Sequence, residues 1–165
     1  MRQTLLHPAT QLVAAASFVI ANAFGPPHIA VRQVTDPASA PAGVVMFVDG
    51  EHHSETDQLT ITGRAEGMRN GQHMSKTLTL VKTSGGHYTL TKQWDAGTAW
   101  VLVLAAEQGP GGKHGVAEAL VKVDATGKVI SVDYPAAGWD GKDFIPRRTS
   151  AATIDAALTM MVAKR

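Results

Sequence analysis

The chain has 165 residues and no cysteine, with 18% charged and 44% hydrophobic residues and 15 basic against 14 acidic side chains. A charged share below the usual value of about 25%, beside an ordinary apolar share, excludes a charge-rich disordered chain. A net charge of +1 leaves no overall field to gather nucleic acid or an anionic membrane, and the lack of cysteine excludes disulfides, Fe–S clusters, Cys-ligated zinc and thiol catalysis.

In chain order, residues 1–23 come first and read as an export signal. Arg2 precedes an apolar run from Leu12 to Ile20, and Ala21-Asn22-Ala23 has the small-x-small form of a signal peptidase site. The run is shorter than the roughly 20 residues needed to cross a bilayer. Cleavage after Ala23 leaves 142 residues beginning at Phe24, with 14 positive and 14 negative side chains. The expected location is the periplasm or the cell exterior, with no stable membrane insertion after cleavage. Residues 24–43 contain Pro26, Pro27, Pro37 and Pro41. They are expected to form an extended leading segment with at most one edge strand, near His28 to Thr35, because proline cannot donate in a ladder.

From Val44 the pattern changes to short β-like runs: 44–48, 58–63, 76–82, 87–94, 98–105, 116–124 and 128–134. Leu78 and Leu80 alternate with Thr77 and Thr79. Tyr88, Leu90 and Trp94 alternate with His87, Thr89, Thr91 and Gln93. Period-two alternation predicts one buried and one wet face. The run 98–105 is different, since Trp100, Leu102 and Leu104 share one face while Val101 and Val103 occupy the other. It is expected to be a central strand covered on both sides. Asp95-Ala96-Gly97 and Asp124-Ala125-Thr126-Gly127 suit hairpin turns with glycine at positive φ. Residues 136–148 read as a loop.

Residues 149–165 carry the one helical pattern. Thr149 or Ser150 can cap it, Asp155 lies in an early turn, and Lys164 and Arg165 complement the terminal dipole. Ile154, Ala157, Leu158 and Met161 make an apolar stripe expected to dock on the sandwich. The fold class is therefore all-β, an antiparallel Ig-like or transthyretin-like sandwich of about seven strands over residues 44–135 with a C-terminal helix.

Residues 86–104, GHYTLTKQWDAGTAWVLVL, resemble the central hairpin of the YtkA-like/FixH-like family of extracytoplasmic Ig-like sandwiches. In that family a Gly-x-Tyr opens one strand and a turn glycine followed by Trp opens the next. Gly86, Tyr88, Gly97 and Trp100 occupy those positions here. The resemblance implies a binding or accessory domain, since such modules are generally not enzymes.

The chemistry-bearing residues support no reaction. The chain after residue 23 lacks G-x-S-x-G, H-E-x-x-H and S-x-x-K, and the glycine-rich stretch 109–115 fails as a phosphate loop because Glu107 and His114 stand where that motif needs Gly and Ser or Thr. Asp49-Gly50-Glu51-His52-His53-Ser54-Glu55-Thr56-Asp57 offers imidazoles and carboxylates that could hold Zn²⁺ or Cu²⁺. His73 and His114 are further candidate ligands. The expectation is nevertheless a surface turn with little or no metal binding, because two adjacent imidazoles leave a tetrahedral site two ligands short. Trp139, in Gly138-Trp139-Asp140-Gly141, is the candidate anchor for a partner. The leading expectation is an exported, non-enzymatic binding or accessory module for a protein or small ligand, without a cofactor. The alternative is a periplasmic Cu- or Zn-handling protein built on His52 and His53 with His73 or His114.

Overall fold

The structure, a computed structural model, describes residues 27–52, 59–135, 138–139, 144–145 and 148–163. Residues 1–23, read from the sequence as an export signal, His53 and the side chain of Trp139 lie outside the described residues. The elements in order are β1 (His28–Gln33), β2 (Val44–Glu51), β3 (Leu59–Arg69), β4 (Gln72–Thr77), β5 (Leu80–Ser84), β6 (His87–Thr91), β7 (Trp100–Gln108), β8 (Gly115–Val123), β9 (Val129–Asp133), β10 (Gly138–Trp139), β11 (Phe144–Ile145) and α1 (Ala151–Ala163). One sheet has the order β1-β2-β6-β5 and the other β4-β3-β7-β8-β9, while β10 and β11 form a separate ribbon. Every pairing is antiparallel. The protein is an all-β sandwich with a C-terminal helix.

The core between the sheets is built by alternation. Met46, Val48, Tyr88 and Leu90 point inward from the first sheet, and Ile61, Ala65, Trp100, Leu102, Leu104 and Val121 from the second. Strand β7 is buried throughout the span from Trp100 to Ala106. Its other face, Val101 and Val103, joins Leu120 of β8 beneath Ile154, Ala157 and Leu158 of α1. The helical stripe therefore covers the second face of the central strand, as the apolar run 98–105 requires. Ser150 caps α1, its Oγ accepting from the Thr153 amide at 3.2 Å.

Residues 28–33 form β1, the one edge strand expected near His28 to Thr35. Three features depart from the sequence reading. Residues 136–148 include the small β10–β11 ribbon. The run 76–82 is two strands separated by buried Leu78, where the chain passes between sheets; there the Gln93 side-chain amide replaces a neighbouring strand, pairing with both Thr79 N (2.9 Å) and Thr79 O (2.7 Å).

The third departure concerns Asp95-Ala96-Gly97, which closes no hairpin. Strand β6 pairs with β2 and β5, and β7 with β3 and β8, so this segment crosses from one sheet to the other. The reason lies in the strands it joins. β6 has exposed His87 and Thr91 on one face and belongs in the sheet whose outer face is open. β7 has no polar face and belongs where α1 can cover it. The crossover is held by Trp100 Nε1 donating to Asp95 O at 3.0 Å and by Gly97 N donating to Ala125 O at 2.9 Å. Gly67 lies against the Trp100 ring, where a Cβ would come within 2.7 Å of Cε3.

Trp100→Ala should cost about 3–5 kcal/mol in a urea titration, as deletion of a core aromatic does. A loss below about 1 kcal/mol would place the indole outside the core.

Candidate functional site

Helix α1 lies over β3, β7 and Leu120 of β8. Beside it lies a groove with room for about 480 Å³ of solvent. Its helix wall is Ala157, Met160 and Met161, and its sheet wall includes Ala99, Lys122 and Ile130. The position of Ile130 follows from a β-bulge. Lys122 pairs with Ser131 but Val123 pairs with Val129, so Ile130 is the extra residue and is pushed outward. Ile130 and Met160 are 56% and 57% exposed, an unusual state for two large apolar side chains flanking the same concavity.

The polar end of the groove is organised by the β8–β9 turn. Asp124 accepts from Thr126 N (2.9 Å), Thr126 Oγ1 (2.6 Å) and Lys128 N (3.0 Å). The hydrogen bond from the Thr126 side chain, followed by that from the Lys128 amide, holds its carboxyl below the ordinary value. Lys122 Nζ contacts Asp133 Oδ2 at 2.6 Å.

Two buried carboxyl groups sit in the layer under α1, and residue pattern alone did not mark them. Glu66 is bound by Arg64 Nε (3.0 Å) and Ser75 Oγ (3.1 Å), beside a cavity of about 110 Å³ that His73 and Ile154 also line. Glu118 accepts from Thr149 N at 2.6 Å, and Arg148 reaches toward it while pairing with Glu107 at 2.7 Å and donating to Gly111 O at 3.0 Å. The segment leading into α1 is thus strapped to the β7–β8 end of the sheet.

Of the histidines singled out from the sequence, the structure describes His52, His73 and His114. His52 is buried rather than exposed, at 8%, with Nδ1 3.3 Å from Gln108 Nε2; the end of β2 packs it against the end of β7. His114 is exposed in the β7–β8 connection, its amide donating to Gln108 O at 3.0 Å. His73 is on β4, between Glu66 (3.7 Å) and Asp155 (3.6 Å). Among the described residues no three metal-ligating side chains converge on one position, and no helix is long and apolar enough to cross a membrane.

His87 lies on the open outer face of the first sheet, its Nδ1 2.7 Å from Asp49 Oδ1. Arg32 donates to Asp49 Oδ2 from Nε (3.2 Å) and Nη2 (3.0 Å) and stacks over Phe47 at 5.3 Å. Partial burial pushes the Asp49 carboxyl upward, but the hydrogen bonds and charges of His87 and Arg32 outweigh it and hold the group below its ordinary value.

No family model, curated protein or solved structure matches this chain.

A depressed folded-state value means that Asp49 stabilises the fold fully above its ordinary value of 3.8 and that this contribution drains away as pH falls below it. Urea titrations from neutral pH to about pH 2 should show Asp49→Asn less stable at pH 7 by about 1–2 kcal/mol, with the difference closing in acid. A difference constant with pH would refute the ion cluster.

Proposed function

We propose that the protein is an exported, non-enzymatic binding or accessory β-sandwich module and that the groove between α1 and the β8–β9 end is its ligand site. The observation that carries this reading is the pairing of two half-exposed apolar side chains, Ile130 and Met160, across a concavity of about 480 Å³, within the size range of about 300–1,000 Å³ common for ligand pockets. Methionine walls suit such a role because thioether side chains repack at little cost. The Ala21-Asn22-Ala23 triplet supports export, and the missing hydrolase motifs support binding rather than catalysis. The unbound partner is a small ligand or a segment of another protein.

The second reading is metal handling. It draws on one observation, that the His52 ring lies beside the Gln108 side chain while the backbone amide of His114 donates to Gln108 O, so that both residues sit at the same end of the sandwich. Calorimetric titration with Cu²⁺ or Zn²⁺ discriminates: binding tighter than about 1 μM that vanishes in His52→Ala/His53→Ala favours metal, and weaker or unaltered binding favours the groove.

For the groove, the neutral dye Nile red should fluoresce on the native protein. Met160→Glu should weaken its binding about tenfold or more, equivalent to about 1.4 kcal/mol, without lowering the melting temperature. Equal binding by wild type and variant would remove the groove from consideration.

A further inference from the structure

We infer that protonation of His73 latches α1 to the sheet, so that the helix is held more firmly in acid than at alkaline pH. The helix is seated by Ile154, Ala157 and Leu158, and Asp155 is its one charged side chain. Among the described residues its ion pairing is with His73, whose Nε2 stands 3.6 Å from Asp155 Oδ1. The same nitrogen is 3.7 Å from Glu66 Oε2. An imidazole on β4 thus lies between two carboxylates, one carried by β3 in the sheet and the other by the helix.

The sheet side of this arrangement is incomplete while His73 is neutral. Glu66 is 7% exposed. Its Oε1 accepts from Arg64 Nε and Ser75 Oγ, whereas its buried Oε2 has no hydrogen-bond partner, a costly state for a carboxylate oxygen. Both distances from His73 exceed hydrogen-bond range. The cavity of about 110 Å³ beside Glu66 is lined by Ala151 and Ile154, which leaves room for the first turns of α1 to move toward the sheet. A neutral imidazole has one N–H; the protonated ring donates from both nitrogens and places a positive charge between two negative ones. The charged groups facing His73 are Glu66 and Arg64 from β3 and Asp155 from α1. Lys76, the cation on β4, is turned to Gln93 O. With Arg64 offsetting one carboxylate, the surrounding sum is one negative charge. Docking therefore favours the charged ring, so the contribution is present in acid and lost as pH rises through the imidazole range, between about pH 5 and 8.

Met160 and Met161 of α1 form the helix wall of the groove, so a loosened helix weakens the groove as well. That consequence rests on the groove being the ligand site; the latch does not.

The test is amide exchange of the protein at about pH 5.5 and about pH 8, expressed as protection factors so that the pH dependence of intrinsic exchange is removed. Protection of the α1 amides should be about three- to fivefold greater at the lower pH, the scale of partly exposed ion pairs. His73→Gln should protect α1 weakly at both values and His73→Lys strongly at both, a gain at the higher pH that a merely damaged fold cannot produce. His87→Gln, on the other sheet, should behave as the wild type. Equal α1 protection at the two pH values in the wild type, or a pH dependence that persists in His73→Gln, overturns the latch. Nile red should bind the wild type more tightly at the lower pH and His73→Lys equally at both. Dye binding that ignores pH while α1 protection follows it overturns the link to the groove and leaves the latch standing.

Discussion

The rest of the structure depends on the burial of both faces of β7. Trp100, Leu102 and Leu104 fill the space between the sheets, while Val101 and Val103 point the other way. A strand with no wet face can sit only in the middle of a sheet that is covered on both sides. In a sandwich the partner sheet supplies one cover; the other must come from elsewhere in the chain, and here it is α1. A helix of 13 residues spans about 20 Å and does not cover the whole five-stranded sheet. The uncovered part, at the β8–β9 end, is the groove. The proposed binding site is thus a consequence of how the central strand is buried.

The layer under the helix is not purely apolar, and its polar members bear on how α1 is seated. Glu66 and Glu118 are 7% and 3% exposed. Burying such groups is costly unless partners are supplied. Arg64 and Ser75 serve Glu66 from the β3–β4 side, while Thr149 and Arg148 serve Glu118 from the segment just before the helix. These contacts are directional where apolar packing is not. Those to Glu118 tie the start of α1 to the sheet. His73, between Glu66 and Asp155, adds a contact between β4 and the helix.

Much of this was legible in the residues. The double-faced run around Trp100, the helical stripe Ile154, Ala157, Leu158 and Met161, and the β8–β9 turn each follow from local periodicity or turn chemistry, and each is present. The partition of strands between sheets was harder to read. Asp95-Ala96-Gly97 has the chemistry of a hairpin turn, but the decision between hairpin and crossover depends on what covers each strand's outer face, a property of the assembled fold. Asn70-Gly71 did carry a local signal, an Asn-Gly pair with φ of 52° and 77° that closes the β3–β4 hairpin, within a stretch too polar to stand out as strand. Buried Glu66, Glu118 and His52 break the rule that such side chains face water, and the groove arises from a bulge and a helix position that no window of sequence contains.

Native-state hydrogen exchange of the protein tests the dependence on β7 most directly. If β7 is the doubly covered centre, the amides of residues 101–106 exchange most slowly of all, at the rate of global unfolding, while those of β1, β9 and α1 exchange through smaller openings. Exchange of the β7 amides as fast as those of the edge strands β1 and β9 would contradict the account.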